Sequence, residues 1–127
     1  MLKLTYCLAR RPEMSRAAFQ DYWLNTHGPL VRAAQEALNI RRYVQAHTVA
    51  SPLAEATAAA RGIPLGDNLG DYDGVAELWF EDDDALAPAE PNAEAQRHGA
   101  ILAEDEAKFI DFARSRIFFT REEEIIG

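Results

Sequence analysis

The chain has 127 residues, is 48% hydrophobic and 27% charged, and carries a formal net charge of −8. That length suits one domain with a single core, and an acidic chain with dispersed basic residues excludes nucleic acid or an anionic membrane as its main partner. With Cys7 as the sole cysteine, an intrachain disulfide and a thiol-rich metal site are excluded as well, and its place in an apolar run reads as a buried, inert thiol.

The opening residues, Met1 to Arg10, show no signal-peptide h-region or cleavage site. No stretch approaches the ~18 apolar residues needed to span a bilayer, so the expectation is a cytoplasmic protein. The first predicted element is a strand over 2–9, closed by Arg10, Arg11 and Pro12 and buried on both faces. Leu2, Leu4, Tyr6 and Leu8 share one side; Lys3, Thr5, Cys7 and Ala9 share the other. Ser15 then reads as the N-cap of a helix, with Met14 able to staple onto it. Ala18 stands where a reciprocal capping box needs Glu or Gln, so that box is absent.

The helix is expected over 16–26. Phe19, Tyr22 and Trp23 stand at i, i+3 and i+4 and share one of its faces. His27 lies one turn beyond Trp23 and is followed by Gly28 and Pro29. Pro29 removes a backbone donor and pushes its predecessor out of the helical region, so the helix should break or kink here and free carbonyls near residue 25. A titratable ring at such a disruption, beside an aromatic face, is a candidate site. An ordinary core stripe ending in a His that caps the helix and complements its dipole explains the same residues. Leu30 to Leu38 reads as helix again.

A second strand is predicted over 40–50. Alternation gives one face Arg41, Tyr43, Gln45 and His47, the other Arg42, Val44, Ala46 and Thr48. Tyr, Gln and His in a row can all exchange or hold protons, which suits an inward-facing site; a solvent face accounts for them equally well. The connection 51–73 is irregular. Leu53 to Arg61 is Ala-rich and helix-prone with Gly62 as a stop, after which Gly, Asp, Asn and Pro crowd together. So long a connection reads as a functional cover or a loop. Asp67, Asp71 and Asp73 do not have the spacing of a calcium loop, so no metal site is expected.

The third strand, over 74–81, sets Val75, Glu77 and Trp79 on one face and Ala76, Leu78 and Phe80 on the other. Glu77 beside Trp79 is either a buried acid–base group with a raised pKa or the partner of a cation. Asp82 to Asp84 read as a cap, and Pro88 and Pro91 keep that segment broken. A long helix over 92–112 follows, with Ile101, Leu102, Phe109, Ile110 and Phe112 apolar, Glu104, Asp105, Glu106 and Lys108 on a solvated side, and His98 at the surface. The last strand covers 115–120, and the tail ends in Ile125 and Ile126, which suggests docking on a second subunit.

The order β-α-β-β-α-β is the ferredoxin-like pattern of an α+β domain with a four-stranded antiparallel sheet. Two helices cover one face of such a sheet. The other face needs a partner, and a second copy closing a barrel is the simplest.

The pieces Phe19-Gln-Asp-Tyr-Trp23, His27-Gly-Pro-Leu30, Tyr43-Val-Gln-Ala-His47, Tyr72-Asp-Gly-Val-Ala-Glu-Leu-Trp79 and Asp105-Glu-Ala-Lys-Phe-Ile-Asp111 resemble the EthD-domain family of the dimeric α+β barrel superfamily. The likeness runs in the same order over nearly the whole chain, a single EthD-like domain over 1–127. It implies a homodimer and a pocket between sheet and helices for a small hydrophobic molecule, with His27 and His47 as pocket residues. Two functions are compatible with it. One is a cofactor-independent isomerase, cyclase or dehydratase-type lyase acting on a carbonyl, lactone or polyketide-like compound. There His27, His47, Tyr43 and Glu77 carry the acid–base chemistry, and Tyr6, Phe19, Trp23, Gln45, Trp79 and Phe118 contact the substrate. The other is a binding or accessory protein of a degradation or polyketide pathway, with the same pocket and no turnover.

Overall fold

The computed structural model describes residues 1–65, 72–83 and 92–127. The apolar runs become strands β1 (Leu2–Leu8), β2 (Arg42–His47), β3 (Gly74–Phe80) and β4 (Arg116–Arg121), and the helices are α1 (Arg16–Tyr22), α2 (Gly28–Ala34), α3 (Pro52–Ala59) and α4 (Ala93–Glu106). The strands form one antiparallel sheet in the order β2-β3-β1-β4, so β2 and β4 are its edges. This is the α+β architecture that the element order predicts. Helix α3 is the Ala-rich run of the β2–β3 connection, capped by the Ser51 side chain and ending near Gly62 at φ 68°, a left-handed value that glycine tolerates. Asp67, Asp71, Asp84, Pro88 and Pro91 lie outside the described residues.

The sheet's helix side carries the core. Leu8 and Ala76 from the strands pack against Phe19, Trp23, Phe109 and Ile110, and Met14 joins them as the staple. Val31, Ile40 and Phe80 form a second cluster with Leu4, Leu78 and Leu102 around it. Ser15 caps α1 as its sequence requires, accepting from the Ala18 N–H at 3.0 Å. Phe112 leaves the apolar stripe: α4 ends at Glu106, and Phe112 opens a short 3-10 turn, 51% exposed.

The helix does not break at Gly28-Pro29. Trp23–His27 form a π turn between α1 and α2, with helical dihedrals throughout. Pro29 cannot donate to the carbonyl four residues back, and one residue of extra width absorbs the misfit. The Gly28 N–H reaches back five residues to the Trp23 carbonyl.

Asp73 is the firmest polar anchor. It is only 1% exposed; its Oδ1 accepts from the Arg10 guanidinium at 2.5 Å and Arg16 Nε at 2.9 Å, and its Oδ2 from the Arg10 N–H at 2.8 Å. Gln20 adds hydrogen bonds to the carbonyls of Thr48 and Asp73. The start of β3 is thus locked to the end of β1 and to α1. Gly74 follows because a Cβ there would collide with the Trp23 ring and the Ala46 carbonyl.

The opposite sheet face carries Lys3, Thr5, Cys7, Val44, Val75, Glu77, Trp79 and Phe118, and no helix among the described residues covers it. Strand β1 is therefore only half-covered on this side rather than buried on both faces. Trp79 is nevertheless buried, with Lys3 and Arg42 over its ring at 5.0 and 4.5 Å and its indole N–H donating to Glu122 at 2.5 Å.

Candidate active site

Period-two alternation on β2 turns Tyr43, Gln45 and His47 toward the helices, which settles the inward alternative for that row; Arg41 lies outside the strand. A cleft of about 880 Å³ lies between this row and α2, walled by Leu24, Pro29, Val31 and Ile40, with Tyr43, Gln45 and His47 on its floor.

The proton positions on that floor follow from one carbonyl. Gln45 Nε2 is 2.9 Å from the Trp23 carbonyl oxygen, which can only accept, so the amide nitrogen must face it. The same nitrogen donates to the Tyr43 hydroxyl at 2.8 Å. Gln45 Oε1 then faces His47 Nε2 at 2.8 Å, and because it can only accept, His47 carries its proton on Nε2 and leaves Nδ1 with a lone pair. The Tyr43 oxygen, occupied as an acceptor, keeps its own proton to donate. Burial holds His47 below its usual pKa and Tyr43 above its own, the latter against opposing hydrogen bonds from Gln45 and Trp23. The base is therefore neutral and the phenol protonated near neutral pH. His47 is fixed in place by stacking on Trp23, ring centroids 4.5 Å apart at 25°. The indole fits there because His47 pairs with Gly74 across the sheet and Gly74 has no side chain.

Behind the floor lies a second polar group on the last turn of α4. Asp105, 5% exposed, accepts from the Tyr22 hydroxyl at 2.6 Å and faces His27 Nδ1 at 2.8 Å. Burial raises the Asp105 pKa, but the hydrogen bonds of Tyr22 and His27 outweigh it and hold the carboxyl below its usual range. Burial lowers His27, against the pull of Asp105. The carboxylate facing Nδ1 accepts a hydrogen bond from it, so the neutral ring carries its proton on Nδ1 and has its lone pair on Nε2. Tyr22, in turn, is pushed up to about 12 by its bond to Asp105 and by burial. Next along the helix, burial pushes Glu106 up to about 7, with the Asp105 charge adding to it and the Tyr6 hydrogen bond opposing. Burial and the Glu106 charge raise Tyr6 in the same way, and the Glu106 charge also raises Tyr43. Tyr43 thus belongs to both groups.

His47, Tyr43 and Gln45 meet at the cleft, and Tyr6 stands behind them with Glu106. His27 does not line the cleft; its neighbours Gly28 and Pro29 do. Phe19 and Trp23, at 0% and 1% exposure, are core rather than cleft wall, although the Trp23 carbonyl and ring organise the floor. Glu77, Trp79 and Phe118 are on the other sheet face, where Glu77 pairs with Lys3 at 2.6 Å. The solvated side expected for α4 is corrected at two positions: Asp105 is buried and Glu106 partly so. A signal for them existed. They stand four residues after Ile101 and Leu102 and four before Phe109 and Ile110, on the apolar stripe itself. Among the described residues no three His, Cys, Asp or Glu side chains cluster as a metal site, and no helix is long and apolar enough to cross a membrane.

Comparison with known proteins gives the lineage. A conidial pigment biosynthesis dehydratase, EthD, of Metarhizium robertsii is 31% identical over 123 residues, covering 91% of this chain and 78% of that protein. Among solved structures, an ethyl tert-butyl ether D (EthD) family protein of Bacillus halodurans has a TM-score of 0.60 at 24% identity, over 97% of this chain and 99% of that one. An EthD-like protein of Ralstonia eutropha has a TM-score of 0.56 at 15% identity, over 94% and 89%. These two share the fold. The EthD domain model matches residues 11–113. The chain belongs to the EthD domain family.

Proposed function

We propose that this protein is a cofactor-independent dehydratase, a lyase that removes water from a small, largely apolar β-hydroxy carbonyl compound of polyketide type. The observation that carries the reading is the hydrogen-bond chain from the Trp23 carbonyl through Gln45, which leaves a bare imidazole nitrogen and a phenol proton on one cleft floor. Its relationship to a pigment-pathway dehydratase supports the choice of reaction.

In this mechanism Tyr43 donates to the substrate carbonyl oxygen. His47 Nδ1 removes the proton from the carbon α to that carbonyl, and the C–H electron pair becomes the enolate. Tyr43 strengthens its hydrogen bond as charge develops on the oxygen. The enolate then expels the β-hydroxyl, which takes the proton back from His47 and leaves as water. The product is the α,β-unsaturated carbonyl, and His47 is neutral again. General acid–base help of this kind contributes typically ~10²–10⁴ in rate, enough for an already acidic carbon. His27 and Asp105 act as positioning residues, tying the π turn that presents the Trp23 carbonyl to α4. A homodimer formed through the helix-free sheet face completes the proposal, since Phe118 is 49% exposed there and Ile125 and Ile126 of the tail are exposed as well.

The test is a panel of bicyclic β-hydroxy ketones, followed by the absorbance of the conjugated product. Saturable dehydration is expected. Saturable binding without turnover of any member would instead make the protein a carrier.

A further inference from the structure

Helix α3 has almost nothing to rest on. Of its eight residues only Ala58 is buried, and among the described residues neither the sheet nor another helix packs along it. A helix of two turns does not hold together in water by its own hydrogen bonds; it needs an apolar surface to pack against. Its one large apolar side chain apart from the Pro52 ring, Leu53, is instead 74% exposed.

The stem from which α3 departs is fixed. Thr48 donates from its hydroxyl to the Tyr72 carbonyl at 2.6 Å and from its N–H to the Asp73 carbonyl at 3.1 Å, so the chain leaves the sheet and returns to it at one place. Gln20 ties that place to α1 through the carbonyls of Thr48 and Asp73. The stem also stands at the reacting end of the cleft, because His47 directly precedes Thr48. Leu24 comes one helical turn after Gln20, on the same side. It forms the cleft wall next to the Trp23–His47 stack and is 55% exposed. Two leucines thus lack apolar cover, one on the wall and one on a helix rooted beside that wall.

We infer that α3 is the lid of this cleft. When substrate is bound, the helix swings about the Thr48–Tyr72 stem, and Leu53 packs onto Leu24 and the apolar body of the substrate. The occupied cleft then supplies the surface that α3 lacks. Closure shields the enolate from protonation by solvent before the β-hydroxyl leaves. This rests on the reading of the cleft as the substrate site.

The test adds 1-tetralone, a bicyclic ketone without a β-hydroxyl, to the full chain. Cleft occupancy is read from the ring resonances of His47, and the lid from hydrogen exchange at the amides of Glu55 to Ala60. Saturating tetralone is expected to shift His47 and to slow exchange in α3 about tenfold. Leu53→Ser, at an exposed position, should weaken tetralone binding about fivefold to tenfold, as partial burial of one leucine allows, and should abolish most of the protection. Leu53→Met should keep both. A shifted His47 with unchanged exchange in α3, or a Leu53→Ser protein that binds as tightly and stays protected, would overturn the lid and leave the cleft as the substrate site. Slow exchange in α3 without tetralone, lost on dilution of the protein, would make a second copy its cover and overturn the lid as well. Tetralone that leaves His47 unshifted would overturn the cleft reading, and this inference with it.

Discussion

Gln45 Nε2 and the Trp23 carbonyl oxygen stand 2.9 Å apart, and this contact fixes the direction of every proton on the cleft floor. The backbone oxygen is available to a side chain because it lies in the π turn, where Gly28 rather than a residue four positions on supplies the helical donor. Gln45→Leu removes the device and leaves both reacting groups. The expected result is a fall of about tenfold in kcat with KM little changed, because proton placement rather than binding is lost. Nitrogen NMR of labelled histidine provides the independent reading: His47 should be the Nε2–H tautomer in the unaltered protein and a mixture in the variant. An unchanged tautomer would contradict the role given to Gln45.

Glu106 makes stability depend on pH in a stated direction. Its carboxyl titrates near 7 in the folded chain, against an ordinary 4.5, because it is buried and beside Asp105. The folded state therefore binds more protons than the unfolded state between those values. The resulting stability is fully present below about pH 4.5 and is lost as pH rises through about 7. Glu106→Gln imitates the protonated form. Its stability relative to the unaltered protein should rise across pH 5–8 by an amount on the order of 1–3 kcal/mol. His27, held neutral by burial, gives the opposite slope on the acid side of its usual 6.5, so the comparison between the two proteins isolates Glu106. Parallel melting curves over that range would show that Glu106 is not perturbed.

Asp73→Ala should be the most damaging single change away from the cleft. It strands the buried Arg10 guanidinium and leaves the Arg10 N–H without its acceptor. Breaking a buried pair by removing one partner costs about 3–5 kcal/mol. Chemical denaturation should therefore show a large fall in midpoint, while Arg16→Ala, which leaves the Arg10 contact in place, should cost much less.

The four strands and the grouping of Tyr43, Gln45 and His47 on one face of β2 were legible in the sequence because a period of two needs only local information; which way that face points was not. The same holds for the Ser15 cap and the helix-prone run after Pro52. The π turn was half-legible: Gly28-Pro29 announced a misfit, but whether a helix breaks or widens depends on what its far half packs against, and Val31 and Ala34 are held in the core. Asp105 and Glu106 read as solvent-facing because acids usually are, and their burial depends on His27, Tyr22 and Tyr6, which are remote in sequence. Glu77 and Trp79 looked like a site because they share one face of a largely apolar strand, with pairing to a cation as the alternative that the Lys3 contact now favours. A strand sends such residues to one face, but only the placement of the helices decides which face holds the cleft.

The helix-free sheet face makes a prediction of its own. Light scattering at micromolar concentration should report a dimer. Phe118→Asp, which places a charge on that face at its β4 edge, should yield a monomer with an unchanged far-UV spectrum. A monomer in the unaltered protein would remove the proposed interface.

The most direct test of the central claim is the dehydration rate of the unaltered protein against His47→Ala, Tyr43→Phe and His27→Asn, on a β-hydroxy ketone that all four bind. The account predicts losses of about 10²–10⁴ in kcat for His47→Ala. It predicts a smaller loss for Tyr43→Phe, where one hydrogen bond to the developing oxyanion is removed, and about tenfold or less for His27→Asn, which can still donate to Asp105. A His47→Ala protein that turns over normally, or a His27→Asn protein that is the dead one, would contradict it and move the chemistry from the cleft floor to the His27–Asp105 pair.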